Sequence, residues 1–220
     1  MGNTLLFNMP AFVPEQQPEI VATRSMSLTN RAMPGSFMNE VMKENILLTV
    51  AHMRGIVPDS ANVPWSEVTK PFTYTFELKP GETYAFQKDA LPGYEGSITK
   101  TIDVNFGAED GYKHDGYLMG DGVCHLASLL YWAAKDAGIE SVAPTNHDFR
   151  SIPEIPREYG VSIYSMPGNP TGNAQQNLYV KNDTGTSIQF EIIYNDKQEL
   201  TVKVLKEAKN DTNLLTQIHI

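Results

Sequence analysis

Apolar positions recur at helical spacing over residues 38–54, MNEVMKENILLTVAHMR. Val41, Met42, Asn45, Leu48 and His52 fall along one stripe, and Ile46, Val50 and Met53 widen it. Ser36 stands where a helix cap belongs and Gly55 where a helix stops. Residues 56–70, with Pro58 and Pro64, read as a loop. The period then drops to two: in FTYTFEL, residues 72–78, Phe72, Tyr74, Phe76 and Leu78 share one face of a strand and Thr73, Thr75 and Glu77 the other. Lys79-Pro80-Gly81-Glu82 reads as a turn, with Pro fixing φ and Gly supplying a positive one, before TYAF (83–86) resumes extended structure. Ile98, Ile102, Val104 and Phe106 predict another strand near 98–106. A second helix is expected over 123–137, opening after Gly120-Asp121-Gly122 and stopping at Gly138, with Val123, Leu126, Ala127, Leu130, Ala134 and Ala137 as its buried stripe. Short strands are expected near 140–150 and 160–165. A closing meander runs through 177–182, 187–194 and 199–205, with turns at Asp183-Thr184-Gly185 and Asn195-Asp196-Lys197.

This mixture predicts an α+β domain over residues 38–206, a mostly antiparallel sheet packed with two main helices. It follows an extended arm (1–37) laid over the core and precedes a short tail (207–220). A length of 220 residues suits one such domain with small extensions. The net charge of −9, from 17 basic and 26 acidic residues, argues against nucleic acid as a partner. No stretch is long and apolar enough to span a membrane. The start, MGNTLLFNMPAFVP, lacks the basic and apolar regions of a signal peptide, and Leu6 does not fit myristoylation. By this reading the chain is either intracellular or has had an export signal removed.

Chemistry concentrates in GDGVCHLASLLYWAAKDAG, residues 120–138. Cys124 is the single cysteine, so it forms no internal disulfide. A lone cysteine is ordinarily a small buried hydrophobe. Its place in the first turn of a helix, after two glycines, points instead to a nucleophile. The helix start favours thiolate there, Gly120 and Gly122 would leave room for a substrate backbone, and free N–H groups could hold an oxyanion. A thiol nucleophile needs a base. Among His52, His114, His125, His147 and His219, His125 is next to the cysteine and therefore turned about 100° from it on a helix, where it can line the site. His147 follows the helix and a short connection, on a strand that could return beside the helix start. The competing use of Cys124, His114, His125 and His147 is zinc binding, but no pair has the spacing of a strong metal motif, and neither metal nor cofactor is expected.

These residues resemble the VanW domain of bacterial envelope proteins. The resemblance rests on Gly120, Gly122, Val123, Cys124, Leu130, Tyr131, Ala133, Ala137 and Gly138, with a following histidine matched by His147. Pro80-Gly81-Glu82-Thr83-Tyr84-Ala85-Phe86 is similar to a Pro-Gly-Glu-x-Phe-Ser-Phe segment, and Asn177 to Asn182 with Ile188 fit the closing strands. Asn30-Arg31 lines up loosely with an Asn-Arg pair. Asp121 interrupts the glycine run, His125 replaces a usual Gln, and Asp148 follows His147 where Ser is common. No acidic residue near Gly160-Val161-Ser162 matches the family's, so the group orienting His147 is open among Asp148, Asn146 and Asn182.

The resemblance implies an extracytoplasmic cell-wall protein acting on peptidoglycan stem peptides as a cysteine L,D-transpeptidase. Cys124 would be the nucleophile and His147 the base. Gly120, Asp121, Gly122, Val123, His125 and Asp148 would surround the oxyanion and substrate. Two other functions remain open: a non-catalytic envelope module binding peptidoglycan or a protein, and a thiol peptidase or amidase.

Overall fold

The computed structural model describes residues 17–58 and 62–207. The expectations placed on 1–16, on 59–61 and on the tail from 208, including His219, lie outside the described residues. The architecture is α+β, with two four-stranded sheets and two long helices. Eight strands run in chain order as β1 (Glu19–Ser27), β2 (Phe72–Leu78), β3 (Thr83–Gln87), β4 (Ile98–Ile102), β5 (Glu140–Val142), β6 (Tyr179–Lys181), β7 (Ile188–Tyr194) and β8 (Glu199–Lys206). The helices are α1 (Phe37–Met53), α2 (Trp65–Val68), α3 (Val123–Asp136) and α4 (Pro170–Gln175).

The first sheet has the order β1-β8-β7-β2 and is antiparallel throughout. Its strands alternate as the sequence predicts: every second side chain of β7 and of most of β8 is buried. The second sheet, β4-β3-β6-β5, is mixed, since β3 and β4 run parallel. Its central β3 is buried on both faces. The chain passes between the sheets at the predicted turn, where Gly81 has φ +83° and donates its N–H to Asn182 O at 2.8 Å. The Asn182 amide also donates to Leu78 O at 2.8 Å and Thr186 O at 2.9 Å. That commits it to the corner between sheets rather than to orienting His147.

Helix α3 packs against β1 and β8 of one sheet, β5 of the other, and α1. One core therefore runs from Met26 and Leu28 through Ile46 and Leu47 to Leu126, Leu130, Val180 and Phe190. The two long helices sit where the sequence puts them, and Ser36 caps α1, its Oγ accepting the Asn39 N–H at 3.1 Å.

Four local expectations differ. Residues 19–27 of the expected arm form an edge strand paired with β8. The loop expected over 56–70 contains the short α2. The strand expected over 98–106 ends at Ile102, because Phe106 (φ +58°) turns the chain into a 3-10 turn at Ala108–Asp110. The stretch 160–165 pairs with no strand; its backbone bonds run to α3 and to Thr145 instead.

Candidate functional site

The site grows from the start of α3. Gly122 caps the helix in a left-handed conformation, φ 100° and ψ −25°, with no side-chain hydrogen bond. A Cβ on Gly122 would lie 2.6 Å from Met42 O of α1, and one on Gly120 (φ +73°) would lie 2.7 Å from Phe106 O. The close approach these glycines serve in the structure is to the protein's own backbone. Asn45, the polar residue in the apolar stripe of α1, fixes the same loop. Its amide donates to Lys113 O and Asp121 O, both at 3.0 Å, and its Oδ1 accepts from Lys113 N at 2.9 Å.

Cys124 is half-buried in the first turn of α3. Among the described residues its side-chain hydrogen bonds go to Ile163: the Ile163 N–H donates to Sγ at 3.3 Å, and the thiol faces Ile163 O at 3.5 Å. One turn on, the Ser128 hydroxyl donates to Cys124 O at 2.7 Å and accepts from Val161 N at 2.9 Å. Segment 161–163 is thus laid along the helix at two points, over the sulfur and over Ser128.

Burial pushes the thiol up to about 11. The Asp121 charge adds to that rise, and the Ile163 N–H and Cys124's own N–H oppose it. Burial therefore outweighs these two N–H groups, and the resting group at neutral pH is the thiol, not the thiolate expected from position alone. Of the first-turn donors, Val123 N–H is engaged by Gly120 O at 3.3 Å and His125 N–H by Gly122 O at 2.9 Å.

His147 lies on the connection after β5, held beside segment 160–163 by the Ser162 N–H to Thr145 O bond at 3.0 Å. Gly160 lets the two segments meet, since a Cβ there would be 3.0 Å from His147 O. The imidazole is buried, and its Nδ1 is 3.0 Å from Arg150 O. A carbonyl only accepts, so Nδ1 carries the proton and Nε2 is the free base position. The orienting group left open by the sequence is thus a backbone carbonyl. Asn146 donates to Arg157 O instead, at 3.1 Å, while Asp148 acts on His147 through its charge. Burial lowers the His147 pKa, so the ring is neutral at pH 7, as a base must be. Phe149 packs on it with the rings tilted by 44°, at 4.1 Å between centroids.

His125 meets His147 edge-on at 6.3 Å between centroids. It is 5 % exposed, its Nδ1 has no partner, and burial, with Arg31, His147 and Arg150 nearby, holds it neutral. Arg31 is fully buried and ion-paired to Glu154 at 2.8 Å. Glu154, at φ +70°, also accepts from Ser27 N and Asn30 Nδ2, tying the His147 connection to the end of β1.

The loop before α3 holds a residue the sequence does not single out. Asp115 is buried, accepts from Tyr117 N at 2.7 Å and Leu118 N at 2.8 Å on one oxygen, and lies against Asp121. The Asp115-Gly116 turn dipeptide is the only signal that marks it. Burial and the contact with Asp115 raise Asp121 to about 6. Asp115 is held below the usual carboxylate range: burial works against that, but the N–H groups of Leu118 and Tyr117, the Asp121 hydrogen bond and His114 prevail.

The structure therefore sets Asp121 beside Cys124 at the start of α3 and His147 against His125, the residue that follows Cys124, with Asp148 acting on His147 by its charge. His114 stands apart, its Nδ1 accepting from Gly116 N at 2.8 Å. His52 stacks on Tyr112. Among the described residues no group of three or more His, Cys, Asp or Glu is arranged to hold a metal ion, and no helix is long and apolar enough to cross a membrane.

No curated protein and no solved structure matches the chain. A family model described as VanW-like protein matches residues 75–205, more than half of the chain. That span runs from within β2 to within β8 and contains the glycine-led helix start, Cys124, His147 and Ile163. With those elements assembled around one core, the chain belongs to the VanW-like family.

Proposed function

We propose that this domain is a cysteine acyltransferase of the L,D-transpeptidase type, acting on peptidoglycan stem peptides. The observation that supports the reading is a neutral thiol in the first turn of α3 next to His125, whose ring meets a neutral imidazole, His147, that is oriented by a carbonyl. A thiol that is protonated at rest needs a base at the moment of attack, and a neutral imidazole with a free Nε2 is such a base. In the resting arrangement the sulfur is bonded to Ile163 and the imidazole to Arg150, so bound substrate must exchange the first contact for His147 Nε2.

The chemistry then balances in two halves. His147 Nε2 takes the Cys124 proton as Sγ bonds to the carbonyl carbon of the amide preceding a terminal D-Ala. The C–N bond breaks, the imidazolium returns its proton to the leaving amine, and D-Ala departs from a Cys124 thioester. An amine of a second stem attacks that carbonyl and loses a proton to His147; the C–S bond breaks, and the imidazolium returns the proton to the departing Cys124 sulfur. The N–H groups of Ile163 and Cys124, which face the sulfur, are placed to receive the developing oxyanion, whereas Val123 N–H is spent on Gly120. Water as acceptor gives a carboxypeptidase by the same route.

A second reading, a non-catalytic envelope module, is favoured by one observation: the raised thiol under the 161–163 backbone resembles a structural cysteine. One experiment separates the two. Full-length protein is incubated with a tetrapeptide stem and an amine acceptor, and D-Ala release is measured for the parent and for Cys124→Ala. The acyltransferase predicts loss of at least about a thousandfold with an unchanged circular dichroism spectrum. Release that survives the substitution, or none from the parent while the peptidoglycan sediments the protein, overturns it.

A further inference from the structure

Residues 113–120 fold back on themselves. His114 bridges Met119, Asp115 N–H donates to Leu118 O at 3.2 Å, and Gly120 N–H donates to Lys113 O at 3.2 Å. Asn45 of α1 closes the mouth of this hairpin by holding Lys113 O and Asp121 O on one amide. Folded this way, the hairpin returns the Asp115 carboxyl onto that of Asp121, three residues before Cys124.

Asp115 is 5 % exposed. Its Oδ1 takes the N–H groups of Tyr117 and Leu118, while its Oδ2 is sealed from solvent and receives no donor from any group of fixed protonation. Asp121 accepts the Gly122 N–H at 2.9 Å on Oδ1. Two carboxylates in contact, one buried and one half-buried, disfavour holding two charges, because their repulsion and desolvation add. One proton between them removes the repulsion and gives the orphaned Asp115 Oδ2 its donor. Two backbone donors favour charge on Asp115, against one on Asp121, so the proton resides on Asp121.

We propose that Asp115 and Asp121 share a single proton, and that this pair is a positioning element that sets the charge presented to the Cys124 sulfur. The proposal rests on reading Cys124 as the reactive group. With the proton held, the pair carries one negative charge; once it is lost to solvent the pair carries two, and the second opposes ionisation of the thiol. The other charged groups facing the pair are few. Arg150 faces Asp121 from the connection after β5, His114 faces Asp115 within the hairpin, and α3 contributes Cys124 itself. Helix α1 presents the neutral Asn45, and Lys113 is taken up by Glu44 at 2.7 Å. Asp121 titrates at about 6, so the charge step falls just below neutral pH.

The test follows Cys124 alkylation by iodoacetamide on the full chain between about pH 5 and 9, beside carbon-13 titration of the aspartate carboxyls. The pair predicts one carboxyl titrating near 6, and an alkylation rate that climbs by less than tenfold per pH unit across that step. Asp121→Asn should remove the flattening and raise the rate at pH 8 several-fold. Asp115→Asn should move both carboxyl titration and flattening down into the ordinary carboxylate range. A merely structural role would scale the rate equally at every pH and leave the profile's shape alone. The idea is overturned if no carboxyl titrates near 6, or if both variants keep the parent profile. The carbon-13 titration needs no variant, so it decides even if a variant fails to fold. Alkylation also needs no peptide: a chain that releases no D-Ala yet shows the step loses the acyltransferase reading and keeps the pair.

Discussion

The two long helices begin in opposite ways. Helix α1 starts with Ser36 in extended conformation, its hydroxyl taking the Asn39 N–H. Helix α3 starts with a left-handed glycine and no side-chain cap. The first start is self-contained: sequence-local groups satisfy it, and any protein could use it. The second depends on distant ones, Met42 O and Asn45 of α1 and Phe106 O, to hold the loop in place. At the α3 start the Val123 and His125 N–H groups go to Gly120 O and Gly122 O, and Cys124's own N–H faces the sulfur. The contrast therefore separates a helix start held by its own sequence from one held by tertiary contacts.

The comparison breaks most readily at Gly122. Gly122→Ala places a methyl 2.6 Å from Met42 O at a φ of +100°, and should cost about 3 kcal/mol in urea denaturation, with lost reactivity at Cys124. If α3 tolerated alanine there as α1 would, the distinction would be wrong. Asn45→Leu removes three hydrogen bonds and leaves Asp121 O and the Lys113 N–H without their Asn45 partner, so a loss of about 2 kcal/mol is expected, with the Cys124 alkylation rate shifted as well. Ser36→Ala should cost about 1 kcal/mol and leave that rate untouched, because its effect ends within α1. The smallest effect is one of pH. The folded thiol pKa of about 11 lies above the unfolded value, so its contribution is complete below the unfolded pKa and is lost as pH rises toward 11. Stability of the parent should therefore fall more steeply than that of Cys124→Ala above about pH 9, as read by denaturation midpoints.

What the sequence shows plainly is what local periodicity encodes. Strands β2, β7 and β8 alternate strictly because one face meets the core, and α1 and α3 carry apolar stripes that end at glycines. What it hides is set by long-range pairing. Strand β1 shows little alternation, yet β8 supplies its hydrogen-bond partner across the whole domain. Segment 160–165 has a strand-like composition, but its partners are Ser128 and Cys124 on a helix, so no ladder forms. At the site, Cys124 and His147 stand out by residue type. The carbonyl of Arg150 and the backbone of Ile163 could not, since a main-chain group leaves no mark on residue identity. Asn45 was visible as a polar residue in an apolar stripe, without any indication of what it holds.

The span matched by the family pattern begins at residue 75, after α1 has ended at Met53. Grafting that span onto another leading region would thus transplant the cysteine without its foundation. Any partner helix would need an amide at the level of Asn45 and bare backbone opposite Gly122. Swaps among relatives should accordingly succeed only when the preceding helix travels with the matched part.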